Sequence, residues 1–242
     1  MKSSLIAICV LVGLSGCATH STHWGYSGQT GSANWATLTS DNFACSGKNQ
    51  SPINLTGFIE ADLAPISFNY ELGGYEILNN GHTVQINYKK GSNITLDGIT
   101  FDLLQFHFHA PSENHINGYS FPLEAHLVHS DKDGNLAVVA VMFKEGSTNS
   151  GLQDAWSMMP EHAGDKHQIS KQLNVNNILP GSRDYYRFNG SLTTPPCSEG
   201  VRWLVMKHVI TASKQQIDAF SSVLHEPNNR PLQVVNSRPI LK

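Results

Sequence analysis

The chain has 242 residues, of which 40% are apolar and 9% aromatic, enough for a sizeable core in one large domain or two small ones. Only 14% are charged, against about 25% in an average soluble protein, and the net charge is -3. This balance excludes a nucleic-acid binder, which carries a basic face, and a disordered chain, which combines low hydrophobicity with high net charge. What calls for explanation is the set of twelve histidines and the four cysteines, Cys9, Cys17, Cys45 and Cys197.

Lys2 opens a short positive segment, and Leu5 to Leu14 is an unbroken apolar run. A helix over that run reaches only about 15 Å, half of a bilayer core, so it reads as a signal-peptide segment and not as a membrane helix. The run ends in Leu14-Ser15-Gly16-Cys17. This resembles the bacterial lipobox, in which the cysteine is lipidated and becomes the mature N-terminus. The alternative is ordinary cleavage after Ala18; either route exports the chain. Residues 1–16 are expected to be the signal peptide and residues 17–242 the functional domain, periplasmic and tethered to a membrane through lipid on Cys17. Cys9 leaves with the signal, and Cys17 is lipidated or lost. Cys45 and Cys197 then remain in an oxidising compartment and are expected to form a disulfide, the alternative being two buried free thiols.

Further along, Ser21 to Ala44 is rich in small polar residues and carries Trp24, Tyr26 and Trp35, so it reads as an irregular arm pinned by aromatics. Val84, Ile86 and Tyr88 alternate with polar residues, as in a half-buried strand. Asp97-Gly98 makes a turn between strands over Ile94 to Leu96 and Ile99 to Leu104. Leu136 to Phe143 is a continuous apolar run, as in a strand buried on both faces. Val201 to Val209, with Trp203, is another strand. Two helices are expected. Ser150 with Gln153 makes a capping box ahead of Leu152, Ala155, Trp156 and Met159, with Pro160 as the stop, and Ser213 with Gln216 does the same ahead of Ile217, Phe220 and Leu224. The whole reads as one β-rich domain from about residue 21 to 242.

Phe106-His107-Phe108-His109 ends an apolar strand. Side chains alternate, so His107 and His109 share one face while Phe106 and Phe108 point into a core. Glu124-Ala125-His126-Leu127-Val128-His129 supplies a second strand, with His126 on the face of Glu124 and Val128, and His129 on the other. Three neutral imidazoles from two neighbouring strands suit zinc and leave a fourth position for water. On pattern alone these are equally well satisfied core or surface histidines. Gln105 and Glu124, each two residues before a histidine on the same face, are placed to accept the second ring N–H. Thr193-Thr194-Pro195-Pro196 suits a rigid loop presenting a hydroxyl and an N–H, or a structural turn.

Taken together, Trp24-Gly25-Tyr26, Gln50-Ser51-Pro52-Ile53, Asn80-Gly81-His82, Gln105 to His109, Glu124 to His129, Ser191 to Pro196 and Asn228-Asn229-Arg230-Pro231 resemble, in the same order, the alpha-class carbonic anhydrases. Pro111-Ser112-Glu113-Asn114 and the Cys45/Cys197 pair resemble the bacterial branch. The likeness runs from about Trp24 to the end of the chain. It implies a large, twisted, mostly antiparallel central sheet with a few short peripheral helices. It also implies a zinc enzyme for the reversible hydration of CO2 to bicarbonate and a proton, through attack of a zinc-bound hydroxide. His107, His109 and His126 would hold the metal. Thr193 would accept a hydrogen bond and pass its own proton to Glu113, and the Thr193 N–H would meet a developing oxyanion. Val128, Val138, Leu192, Thr194 and Trp203 would line the substrate pocket.

His82 matches the family's proton shuttle. Direct loss of a proton from a group of pKa near 7 to water is limited to about 10³ s⁻¹ by recombination, so faster turnover requires a relay. The expected partners are CO2 and bicarbonate, with no nucleic acid, and the state is a monomer or homodimer. His115, His129, His162, His167, His208 and His225 are expected at the surface or in hydrogen bonds, and His20 and His23 in the arm. Ala110-Pro111 stands where many animal members carry Trp-Gly, a change at a strand end and not at a ligand. The rival reading is a non-catalytic zinc- or ligand-binding lipoprotein on the same scaffold; the complete histidine set with Glu113 and Thr193 counts against it. Neither GxSxG nor HExxH is present, so a hydrolase is not indicated beyond side esterase activity.

Overall fold

The structure is a computed structural model and describes residues 23–242; the apolar run, the lipobox and His20 lie outside the described residues. In chain order the strands are β1 (Asn54–Leu55), β2 (Ser67–Asn69), β3 (Gly74–Asn79), β4 (Val84–Tyr88), β5 (Asn93–Leu96), β6 (Ile99–His109), β7 (His115–Ile116), β8 (Leu123–Ser130), β9 (Leu136–Glu145), β10 (Lys166–Leu173), β11 (Tyr185–Ser191), β12 (Glu199–Met206) and β13 (Ile210–Ala212). The helices are α1 (Trp35–Leu38), α2 (Ser150–Trp156) and α3 (Lys214–Leu224). One 11-stranded sheet runs in the order β10-β3-β4-β6-β8-β9-β12-β11, with β13 on β9, and with β5 bridging β2 and β6. It is mainly antiparallel, but β9 pairs in parallel with both β12 and β13.

Alternation divides this sheet into two faces. Phe106 and Phe108 of β6, Ala125 and Leu127 of β8, Val139 and Val141 of β9, and Leu204 and Met206 of β12 enter the larger core. The intervening residues Val128, Val138, Ala140, Trp203 and Val205 build a second apolar cluster on the opposite face. β9 is therefore apolar from Leu136 to Phe143 because both its faces are covered there. His107 and His109 of β6 and His126 of β8 lie on the face of the second cluster, at the centre of the sheet, where neighbouring strands on both sides hold their backbone; His129 of β8 points to the other face.

The helix over residues 214–224 is capped as its sequence indicates: Ser213 Oγ accepts from the N–H of Gln216, whose side chain reaches back to the Ser213 N–H. The other helix differs. Its N-cap is Asn149, whose side chain accepts from the N–H groups of Gly151 and Leu152, so Ser150 is already helical. Gln216 also bonds both backbone groups of Asn149, tying the two helix starts together. That helix ends at Trp156, short of Pro160, and the strand containing Trp203 ends at Met206, short of Val209. The arm, expected to be irregular, instead carries short helical turns at Gly28–Thr30, Trp35–Leu38 and Ser40–Ser46; the expected aromatic pin is there, with Trp35 fully buried and its indole N–H shared between the carbonyls of Gly25 and Thr30.

Candidate metal centre

His107 and His126 face each other across β6 and β8, and His109 is the next residue on the same face of β6. The ring centroids lie 5.1, 5.4 and 4.6 Å apart for the pairs His107–His109, His107–His126 and His109–His126. One nitrogen from each ring falls within 4.8 Å of the other two.

Which nitrogens these are follows from the opposite side of each ring. His107 Nδ1 lies 2.9 Å from Gln105 Oε1, His109 Nδ1 2.7 Å from the carbonyl of Asn228, and His126 Nε2 2.8 Å from Glu124 Oε1. All three partners can only accept, so these nitrogens carry the hydrogens. The lone pairs left facing one another are Nε2 of His107, Nε2 of His109 and Nδ1 of His126. Burial holds all three imidazoles below the usual histidine range, reinforced at His107 by His109 and His126. Neutral rings are what metal ligation needs. His109 Nε2 is buried with no hydrogen-bond partner, as is Glu113 Oε2. That oxygen lies 3.5 Å from His109 Nε2 and 3.9 Å from His126 Nδ1.

A shell of buried polar residues fixes these groups. Glu124 accepts from the His126 ring, from the Asn114 side chain and from the N–H groups of Glu113 and Asn114. Glu113 Oε1 accepts from the Arg230 N–H at 2.8 Å. Burial pushes the Glu113 carboxyl well up, opposed by that N–H and by the Thr193 side chain. The Arg230 guanidinium in turn bonds Gln50 Oε1 and the carbonyls of Ser51 and Cys45, and sits 5.3 Å from the Trp35 ring.

The loop carrying Thr193 is locked at both ends. Ser191 and Ser51 exchange backbone-to-hydroxyl bonds, the Trp203 indole donates to the Ser191 carbonyl, and Leu192 N–H donates to Ser198. Cys197 is bonded to Cys45, as expected from the cysteine count. Gly190 is required beneath this loop, because a Cβ there would run into Ser51 Oγ.

Val128, Val138 and Trp203, with Leu192 packed against them, form an apolar wall beside the histidines, and the Trp203 ring lies 4.9 Å from His126. Thr194 lines the site cavity of about 120 Å³ together with His82, His107 and His109. His82 stands apart from the three converging histidines. Its ring stacks on Trp24 at 3.6 Å and 8°. A larger cavity, about 580 Å³, lies elsewhere, around Arg187, Arg202 and Arg238; donor chemistry, not volume, identifies the site.

The roles of Asn228 and Arg230 were not assigned from sequence. Asn228 receives the His109 N–H on its carbonyl, while its side chain bonds the Ala110 N–H and the carbonyls of His82 and Phe108. Both residues act on the ligands or on Glu113 through backbone atoms, which leave no side-chain pattern; the only signal is the Asn228-Asn229-Arg230-Pro231 motif itself. Among the remaining histidines, His129 is fully buried and hydrogen-bonded to Tyr70 and the Ala137 carbonyl.

The profile of the family described as eukaryotic-type carbonic anhydrase matches residues 30–242. The chain is 49% identical to a carbonic anhydrase of Pectobacterium carotovorum over 243 aligned positions, covering 100% of both chains. It is 42% identical to one of Neisseria gonorrhoeae, covering 100% of this chain and 96% of the relative. An alpha-carbonic anhydrase of Thermovibrio ammonificans, solved with the inhibitor sulfanilamide, superposes with a TM-score of 0.90 at 45% identity, covering 91% of this chain and 99% of that one. The chain therefore belongs to the eukaryotic-type, alpha-class carbonic anhydrase family of enzymes.

Proposed function

We propose that the three-histidine centre holds zinc and that the chain uses it for the reversible hydration of CO2 to bicarbonate and a proton. The observation that carries this reading is His109 Nε2, buried and unpartnered, converging with two other bare imidazole nitrogens. Left unpaired, such an atom costs about 1–3 kcal/mol; a cation at the convergence point removes that cost. Three neutral nitrogen donors are the set that zinc takes in catalytic sites, where a fourth position stays open. The chemistry zinc supplies there is Lewis acidity, which brings the pKa of a water to about 7; carbonic anhydrase is the standard example of that value.

The protein's own groups do the rest. Gln105, the Asn228 carbonyl and Glu124 hold the three rings in the tautomers that face the metal. Glu113, held by the Arg230 N–H, accepts the hydroxyl proton of Thr193, so the Thr193 oxygen is free to accept from the reacting water and to aim its lone pair. The Thr193 N–H would meet a developing oxyanion. Val128, Val138, Leu192 and Trp203 exclude water from the side where an apolar, uncharged substrate must sit. A cavity of about 120 Å³ suffices for that substrate and a few waters, each of which takes about 30 Å³ in the liquid. His82, in the same cavity but outside the ligand set, carries the released proton outward through water.

Zinc analysis of purified protein tests the centre. The account expects one zinc per chain, lost in His107→Ala and in His126→Ala; a full zinc complement in either variant would overturn the ligand assignment. We further read Leu5 to Cys17 as an export and lipidation signal, supported by its apolar run and terminal cysteine. On that reading Cys17→Ser releases the protein from membranes, and an unchanged membrane fraction contradicts it.

A further inference from the structure

We propose that His23 is a second proton-relay residue, which takes the proton from His82 and hands it to buffer. This rests on the reading of His82 as the proton carrier.

The geometry is specific. The His23 and His82 rings meet edge to face with centroids 5.4 Å apart. His23 is exposed, whereas His82 is partly buried in the site cavity. His23 Nδ1 lies 2.7 Å from the Trp24 carbonyl, which can only accept. Nδ1 therefore carries the hydrogen, and Nε2 is left as a base. No protein hydrogen bond engages the His82 ring among the described residues; it is held by its stack on Trp24, which leaves both ring nitrogens to water. Trp24 is itself fixed edge-on by Trp35 and Tyr26. The start of the arm is thus built to bring one imidazole against another at the mouth of the cavity.

The proton balance is simple. His82 becomes an imidazolium on accepting a proton from the site. It returns to neutral by giving that proton, directly or through a water, to His23 Nε2. His23 then releases it to a buffer base. Two adjacent imidazoliums repel, so the pair holds one proton at a time, and the next proton from the site favours departure of the last. The neighbouring positive form of His23 lowers the pKa of His82, after the larger effect of burial. The other titratable groups facing His82 across the cavity are Tyr26, His107 and His109.

The test is stopped-flow CO2 hydration by the zinc-loaded full chain, in weak buffer and with added imidazole. The variants are His23→Ala, His23→Phe, His82→Ala and the double variant His23→Ala/His82→Ala. His23→Phe keeps a ring against His82 but carries no proton. Both His23 variants should lower kcat in weak buffer by about threefold, the order expected for losing one of two proton stations in series. They should leave kcat/KM unchanged and be restored by imidazole. The double variant should be no slower than His82→Ala. Wild-type kcat in His23→Phe would assign His23 to packing and overturn the relay, as would a double variant slower than His82→Ala. An unaffected His82→Ala would instead overturn the reading of His82 itself.

Discussion

Glu124 Oε1 lies 2.8 Å from His126 Nε2, while Oε2 of the same carboxylate accepts the N–H of Glu113 at 2.7 Å. One fully buried side chain thus orients one of the three converging imidazoles and fixes the backbone of Glu113, the carboxylate beside Thr193. Outer partners of this kind typically contribute 10–100-fold to metal affinity. Glu124→Ala should therefore weaken zinc binding by about 10–100-fold in competition with a chelator, and Glu124→Gln, which keeps an acceptor, should recover part of the loss. Unchanged affinity in Glu124→Ala would remove Glu124 as the orienting group.

The Cys45–Cys197 bond spans 152 positions and anchors the loop bearing Thr193 to the arm. Loss of a native disulfide commonly costs about 2–5 kcal/mol. Cys45→Ser/Cys197→Ser should lose stability of that order, read from urea unfolding of the oxidised wild type against the variant. Coincident transitions would show that Ser191, Trp203 and Arg230 hold the loop without it.

His129 offers a test on the other face of the sheet. It is buried, its Nε2 accepts from the Tyr70 hydroxyl, and burial pushes its pKa down from 6.5 to about 4. The unfolded chain therefore binds this proton more readily than the folded one between those values. The neutral ring's contribution is fully present above pH 6.5 and is lost as pH falls toward 4. The shift corresponds to roughly 3 kcal/mol at the acid end. His129→Gln removes the titration, so the stability gap between wild type and variant should narrow by that order as pH falls from 7 to 4. A gap constant over the range would contradict it.

Much of this was legible in the sequence because strands encode their faces directly. The alternation of Phe106, His107, Phe108 and His109 sends one pair to a core and the other to the site, and His126 arrives opposite His107 with Glu124 behind it. Gln105 and Glu124 were also readable, since their oxygens act from the same strand and face as the rings they hold. Helix starts were harder. Ser150-Gly151-Leu152-Gln153 has the form of a capping box, but Asn149 one residue earlier offers the better acceptor and takes the cap. What acts through the backbone was not legible: the Asn228 carbonyl and the Arg230 N–H come from a segment about 120 residues downstream of the groups they hold. The Trp24–His82 stack likewise needs the fold, because only the fold brings the arm over the β3–β4 turn.

The central claim is that His107, His109 and His126 hold a zinc ion that hydrates CO2. Stopped-flow CO2 hydration by the purified protein, before and after removal of metal with a chelator, and again after addition of zinc alone, tests it most directly. The account predicts hydration that disappears with the metal and returns with zinc in the wild type but not in His107→Ala. Undiminished hydration by the stripped protein, or full activity of His107→Ala, would contradict it.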